Sequence, residues 1–251
     1  MSGSLVLVPN ALDFGAEEVP LRDVLGDAAI RSAAALTHWV VEDARGARAF
    51  LKRVAVLSPL ALPLQSLDIC ELPKPRKGSK ETVSADAWAQ LLAPALAGSD
   101  IGLLSEAGLP AVADPGAALV QAAHSLGIRV WPLAGPSSLM LALAGSGLNG
   151  QSFAFVGYLP QDASARATRL RELETLSRRA QQTQLIIETP YRNTAVFGAM
   201  LSALAPQTRL SVSVGLTLPE GWARCHTVAA WRQQAVQLSD RVPAVFALLA
   251  A

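Results

Sequence analysis

Along the chain, short runs of leucine and β-branched residues alternate with longer Ala/Leu/Arg segments in which apolar positions recur every three or four residues. That alternation is the pattern of parallel strands joined by crossover helices. Five strands are expected in the first half, at residues 5–8, 39–41, a weaker one at 64–70, 101–104 and 128–132. Helical periods fall at 44–52, 85–97, 117–126 and 139–144. After Gly145-Ser146-Gly147-Leu148-Asn149-Gly150 the rhythm restarts, with strands at 153–156, 185–188, 210–214, 224–228 and 244–248 and helices at 164–181 and 189–204. The expected fold class is α/β, in two halves at residues 1–148 and 149–251.

Composition narrows the class. At 251 residues with 51% hydrophobic and 16% charged positions, the chain can bury a substantial core and is not a disordered polymer. Its longest apolar run, residues 242–251, is half of the roughly 20 residues that a membrane-spanning helix needs. The start, Met1-Ser2-Gly3-Ser4-Leu5-Val6-Leu7-Val8-Pro9, lacks a basic n-region and meets a proline too early for a secretory signal, so it is expected to be the first strand. Cys70 and Cys225 lie far apart, with no disulfide framework and no C-x-x-C pair, which points to a reducing cytoplasm. With Lys+Arg at 21 and Asp+Glu at 20, net charge names no partner.

Candidate chemistry gathers in turns that follow strands. The segment Ser105-Glu106-Ala107-Gly108-Leu109-Pro110-Ala111-Val112-Ala113-Asp114-Pro115-Gly116 leaves one strand and opens a helix at Ala117. The carboxyl ends of strands in an open α/β sheet are where ligands sit. Glycine permits close backbone approach there, proline fixes the loop, and Asp114 can cap the following helix. The next strand ends in a second such turn, Pro132-Leu133-Ala134-Gly135-Pro136-Ser137-Ser138, where Ser137 or Ser138 can cap a helix or offer a hydroxyl to a ligand. One segment breaks the rhythm: residues 59–82 hold several prolines and Lys74-Pro75-Arg76-Lys77-Gly78-Ser79-Lys80, either a solvated loop or a substrate-facing arm whose cations meet phosphate. Gly145-x-Gly147-x-x-Gly150 spells a dinucleotide fingerprint but follows a helix where that loop must follow a strand. His38, His124 and His226 are scattered, which argues against a metal site or a Ser/His/Asp triad.

Read together, these segments resemble the tetrapyrrole methylase superfamily, class III S-adenosylmethionine-dependent methyltransferases, in the branch of the small-subunit ribosomal RNA cytidine 2′-O-methyltransferase. Residues 105–116 are similar to its S-D-A-G-T-P-x-x-S-D-P-G loop. In the same order, Leu7-Val8-Pro9 resembles its opening strand, Glu42-Asp43-Ala44-Arg45 its E-D-T-R and Gly135-Pro136-Ser137-Ser138 its G-P-x-x. Gly157-Tyr158-Leu159-Pro160 resembles its G-F-L-P and Glu188-Thr189-Pro190-Tyr191-Arg192 its E-S-P-H-R.

The resemblance implies two αβα domains, a parallel-sheet N-terminal one and a mixed-sheet C-terminal one, with the active site in the cleft between them. It also implies a homodimer, S-adenosylmethionine as methyl donor and no metal. Carried over by matching segment, the donor-binding residues would be Pro9, Ser105, Ala107, Gly108, Pro110, Asp114, Ser137, Ser138, Leu159, Glu188, Thr189 and Pro243. If the acceptor is a hydroxyl, its proton goes to a base sought among Glu42, Asp43 and Glu188. Glu42 and Asp43 have an alternative role as helix-start caps with Arg45 as partner, and Arg45 and Arg192 either hold an anionic acceptor or make surface ion pairs.

Two departures bear on the acceptor. The family's P-x-G-N is replaced by Pro9-Asn10-Ala11-Leu12-Asp13, and its R-E-x-T-K by Val214-Gly215-Leu216-Thr217-Leu218. Cations that would contact RNA phosphate are thereby lost. Ribosomal RNA, at a ribose 2′-O, is the expected acceptor; a tetrapyrrole or other small molecule is the alternative, as is a catalytically silent donor-binding protein.

Overall fold

The structure, a computed structural model, describes residues 2–13, 19–73 and 83–251. It forms two compact units, one containing the first strand and Val19–Pro136 and the other Ser137–Ala251. The basic stretch Lys74 to Lys80 lies outside the described residues.

The first unit is built on strands β1 (Ser4–Leu7), β2 (His38–Val41), β3 (Asp68–Glu71), β4 (Ile101–Leu104) and β5 (Arg129–Pro132). Every pairing is parallel, in the order β3-β2-β4-β1-β5. Helices α1 (Leu21–Val24), α2 (Asp27–Ala35), α3 (Ala44–Leu57), α4 (Ala85–Leu91), α5 (Ala93–Leu96) and α6 (Ala117–Ser125) connect them. Val6, Trp39, Val41 and Leu104 pack with α2 and α3 on one face, whereas Leu5, Val40, Ile101 and Leu103 pack with residues of α5 and α6 on the other. A parallel sheet covered on both faces needs a continuous apolar run in its middle strands, and Ile-Gly-Leu-Leu of β4 is buried throughout. Gly102 is part of that run because Trp39 lies across it: a Cβ there would fall 2.6 Å from the indole.

Two expectations are corrected here. The strand expected at 64–70 is a 3₁₀ turn, Leu64–Ser66, followed by β3; β3 is an edge strand, exposed at three of its four residues, so it carries little apolar signal. The helix expected at 85–97 is interrupted at Leu92, since Pro94 opens a new first turn for α5. Helix α2, with Ala29, Ile30, Ala33 and Ala34 buried, was not anticipated.

The second unit contains α7 (Ser138–Ser146), β6 (Phe153–Phe155), α8 (Ala163–Ala180), β7 (Thr183–Glu188), α9 (Asn193–Ala203), β8 (Arg209–Val214), β9 (Trp222–Thr227), α10 (Val228–Trp231) and β10 (Ala244–Leu249). Its sheet is mixed, in the order β6-β7-β10-β8-β9: β6 runs parallel to β7, while β10 is antiparallel to β7 and β8, and β9 to β8. Side chains of α8, α9 and α10 cover one face, where Phe197 meets Trp231 edge-on at 5.3 Å and stacks on Phe246 at 6.5 Å. On the other face Leu139, Ala142 and Leu143 of α7 pack on Leu185, Val245 and Ala247. This packing sets the start of the unit at Ser137 rather than at the expected residue 149, because α7 buries its apolar side against this sheet. Gly147, from the apparent dinucleotide fingerprint, is the left-handed C-cap of α7 at φ 63°.

Candidate functional site

In the first unit, β1 lies between β4 and β5, so the turns leaving those three strands emerge side by side. They are bound to one another. Asn10 and Gly108 form an antiparallel bridge, with Asn10 N donating to Gly108 O at 2.9 Å and Gly108 N to Asn10 O at 3.2 Å. The Asn10 side-chain amide donates to the carbonyls of Ser105 and Glu106, at 3.1 and 3.0 Å, and its Oδ1 accepts from Ala11 N. Pro9 packs directly on Gly135. The turns expected to hold a ligand, 105–116 and the one around Gly135, are therefore neighbours; Pro136 O lies 3.5 Å from a Cβ built on Gly108.

The 105–116 loop is held in an uncommon backbone path. Gly108 and Gly116 have φ of 65° and 120°, and the non-glycine residues Ala111 and Ala113 sit at 65° and 63°. Left-handed alanines cost on the order of 1 kcal/mol each, which the surrounding bonds must offset. Ser105 is buried, and its Oγ has no hydrogen-bond partner among the described residues. Ala107, Gly108 and Pro110 are buried in the same loop.

Carboxylates gather around the start of α3. Asp43 is its N-cap and accepts from Gly46 N at 2.8 Å, as the capping alternative required. Glu71 Oε1 accepts from Ala44 N at 2.8 Å. The Glu106 carboxylate lies against Gly46, where a Cβ would come within 2.2 Å of Oε1, and negative charge is stabilised at that end of a helix. Glu42 Oε2 accepts from Glu106 N at 3.2 Å. Arg45 is exposed and makes no ion pair among the described residues. Asp114 does not cap α6, whose N-cap is Gly116 without a side-chain bond. Burial, reinforced by the Glu42 and Glu106 carboxylates, pushes the Asp114 carboxyl up to about 6. Asn10 and Glu106 thus do structural work that the motifs did not assign. Asn10 was discoverable as the lone amide after a buried strand, Glu106 from the glycine in the first turn of α3.

In the second unit, Glu188 ends β7 with its side chain buried. Its Oε1 accepts from Thr189 N at 2.8 Å and from the Thr189 hydroxyl at 3.3 Å. Arg192 Nη2 lies 3.3 Å from Oε2, an ion pair by distance. Nη2 also donates to the carbonyls of Leu159 at 3.0 Å and Pro160 at 3.1 Å, and its contact with Oε2 is an ion pair without hydrogen-bond geometry. These contacts bring the Leu159 and Glu188 segments together around a hollow of about 500 Å³, rimmed by Tyr158, Gln161, Arg169 and Tyr191. Pro243 immediately precedes Ala244, which pairs with Glu188, and Asn193 anchors that segment by donating to the carbonyls of Ser239 and Val242, each at 2.9 Å. Ser137 and Ser138 open α7 without a side-chain cap bond, so the capping alternative is not realised there. Where the family carries R-E-x-T-K, β8 ends at Val214 and the chain turns tightly, with Gly215 at φ 56° and Leu218 N donating to its carbonyl at 2.7 Å. Among the described residues no group of three or more His, Cys, Asp or Glu side chains can hold a metal ion, and no helix is long and apolar enough to cross a membrane.

Comparisons with known proteins bear on this arrangement. No family model matches the chain. It is 37% identical over 134 residues to the ribosomal RNA small subunit methyltransferase I of Mesorhizobium japonicum, covering 53% of this chain and 44% of that protein. The protein of the same name from Vibrio cholerae is 37% identical over 122 residues, 49% of this chain and 41% of its own length. The matched part thus spans less than half the length of these relatives. Among solved structures, the methyltransferase CobJ superposes with a TM-score of 0.56 at 17% identity over 100% of both chains. The native form of uroporphyrin III C-methyltransferase from Thermus thermophilus gives 0.53 at 17% identity, over 98% of this chain and 95% of that one. The resemblance read from the motifs is borne out: over about half its residues the chain is similar to proteins named ribosomal RNA small subunit methyltransferase I, and its α/β fold is that of solved methyltransferases.

Proposed function

We propose that this chain is a methyltransferase that takes its methyl group from S-adenosylmethionine and delivers it to ribosomal RNA, at a ribose 2′-hydroxyl. The observation that carries the proposal is the convergence of three interlocked turns at the carboxyl end of β1, a place where open α/β sheets bind ligands. The names of the relatives support the acceptor. Ribosomal RNA as acceptor places the protein in the cytoplasm, and a homodimer is the expected assembly.

The first-unit residues fit such a donor. Ser105 Oγ is a buried hydroxyl in need of a partner, and Glu42, Glu106 and Asp114 set a negative potential that suits a ligand carrying sulfonium and ammonium charge. Pro9, Ser105, Ala107, Gly108, Pro110 and Asp114 form the donor loops; Ser137, Ser138, Leu159, Glu188, Thr189 and Pro243 are proposed as the second unit's contribution. When bound, S-adenosylmethionine supplies a methyl carbon activated for in-line displacement. The protein's part is alignment, which for well-oriented reactants is worth several kcal/mol, on the order of known effective molarities. It must also remove the hydroxyl proton. Glu42 is proposed to take it at Oε1, because Oε2 is held by Glu106 N whereas Asp43 is occupied as a helix cap.

The test is incubation of the purified protein with radiolabelled donor and, separately, ribosomal subunits, free RNA and a small-molecule extract, all from a strain lacking the protein. Label in small-subunit RNA is the expected result. Label in the extract alone would move the acceptor to a tetrapyrrole or another small molecule. Donor binding with no label anywhere would make the chain a silent binder.

A further inference from the structure

We infer that Arg53 is a positioning residue for the methyl donor: through Asp13 it fixes the 9–13 turn to helix α3, and so against the 105–116 loop. The inference rests on the first-unit donor site proposed above, and every residue it uses belongs to that unit.

The turn after β1 departs from the family pattern. Where the resembling motif P-x-G-N has a glycine, this chain has none between Pro9 and Asp13. A turn without glycine takes its shape from what holds it. Arg53 holds its far end. Nη1 lies 2.8 Å from Asp13 Oδ2, with the two side chains 20% and 15% exposed, and Nη2 donates to the Val19 carbonyl at 2.6 Å. One guanidinium thus grips the chain at Asp13 and again at Val19, a use that suits its planar fork better than a lysine ammonium. Because the pair is largely withdrawn from solvent, salt screens it less than an exposed pair.

The near end of the turn is held by the neighbouring loop. Asn10 and Gly108 exchange backbone hydrogen bonds, and the Asn10 amide reaches the Ser105 and Glu106 carbonyls. Leu12 lies against Gly108, its Cδ2 3.1 Å from a Cβ built there. The 105–116 loop in turn meets α3, where the Glu106 carboxylate lies against Gly46. Gly46 and Arg53 are seven residues apart in that helix, so they stand on the same side of it, about 10 Å from each other. The contacts therefore close a ring that runs from Arg53 through Asp13, Asn10, Glu106 and Gly46 and back along α3. Within the ring, one helix sets the separation of the turns that carry Pro9, Ser105 and Gly108. Opening it at Arg53 leaves the Asn10 bridge intact and frees the turn to pivot about that bridge. Misplacement of a ligand-holding group by about 1 Å is enough to cost on the order of 10²-fold in rate.

Calorimetry with S-adenosylmethionine and hydrogen exchange, both on the full chain, test the assignment. Arg53→Ala is expected to weaken donor binding by roughly 3- to 100-fold, the span of couplings within one contact network. It should also speed exchange of the Asn10 and Gly108 amides while those of β4 keep their rates. Arg53→Lys, which keeps a cation opposite Asp13, should recover most of the affinity. Asp13→Asn should weaken the donor in the same direction, and the double variant should lose less than the product of the single losses, because both changes open one link. A lowered thermal midpoint with unchanged donor affinity, or single losses that multiply in full, would overturn the inference. The two proposals fail separately. If the parent protein binds the donor and Arg53→Ala binds it equally well, only the positioning role is lost. If the parent binds no donor, the methyltransferase reading is lost, and unchanged exchange at Asn10 and Gly108 in Arg53→Ala would remove the ring as well.

Discussion

Pro9 rests on the backbone of Gly135 so closely that a Cβ at position 135 would lie 2.1 Å from Pro9 Cβ. The contact joins the turns that follow β1 and β5, and it leaves no room for a side chain. Gly135→Ala must therefore displace one turn from the other, at a cost of about 1–3 kcal/mol for overpacking a tight contact. A lowered thermal midpoint accompanied by weaker S-adenosylmethionine binding is expected, both read on the same sample. A lowered midpoint with unchanged donor affinity would separate these turns from the donor site.

Asp114 gives the first unit a pH dependence with a definite sign. Its carboxyl is raised from the ordinary 3.8 to about 6, first by burial and then by Glu42 and Glu106, so the folded state favours the protonated form. The corresponding stabilisation is fully present below about 3.8 and is lost as pH rises through about 6. Asp114→Asn, which cannot ionise, should raise the thermal midpoint relative to the parent above pH 6, with the advantage vanishing near pH 4. A midpoint difference that is flat across that window would mean that neither burial nor the Glu42 and Glu106 charges raise the Asp114 carboxyl.

Arg192 holds Glu188 by charge and the Leu159–Pro160 turn by hydrogen bonds. Arg192→Ala removes all three links and leaves a buried carboxylate without a counter-charge, the situation in which ion-pair disruption costs most, about 3–5 kcal/mol. Glu188→Gln keeps the bonds between Arg192 and the two carbonyls and should cost less. Urea midpoints of the two variants and of the double variant form a cycle; a coupling energy near zero would show that the pair is incidental.

Much of this was legible in the sequence, and the exceptions have physical causes. Ile-Gly-Leu-Leu of β4, buried throughout, was plain in the sequence, whereas β3, exposed at an edge, was misplaced at its start. Helix α2 escaped because its buried stripe is largely alanine, too small to stand out as a hydrophobic period. The unit boundary was misjudged at Gly147 to Gly150, where turn residues end α7, because which sheet α7 covers depends on residues a hundred positions away, such as Val245 and Ala247. For the site, glycine and proline announced the loops at 105–116 and 132–138, but their linkage through Asn10 is tertiary. The hollow between Tyr158 and Tyr191 depends on Arg192 reaching back to Leu159, which sequence spacing does not encode.

Glu42 and Asp43 are adjacent carboxylates with different surroundings, and that difference can be measured. Asp43 accepts from Gly46 N as the N-cap of α3, so Asp43→Ala should destabilise by about 1 kcal/mol, the usual loss for a missing cap. Asp43→Asn, which still caps, should be close to neutral. Glu42 caps nothing; it meets only Glu106 N among the bonds of the described residues, and its charge raises Asp114. Glu42→Gln should accordingly leave the thermal midpoint unchanged or higher at neutral pH, while methyl transfer to a hydroxyl falls by roughly 10²–10⁴-fold if Glu42 takes the proton. The informative readout is single-turnover transfer at matched donor saturation, because it excludes weakened binding as the cause. Should Asp43→Asn lose transfer while Glu42→Gln keeps it, the base is the capping residue and the assignment of Glu42 fails.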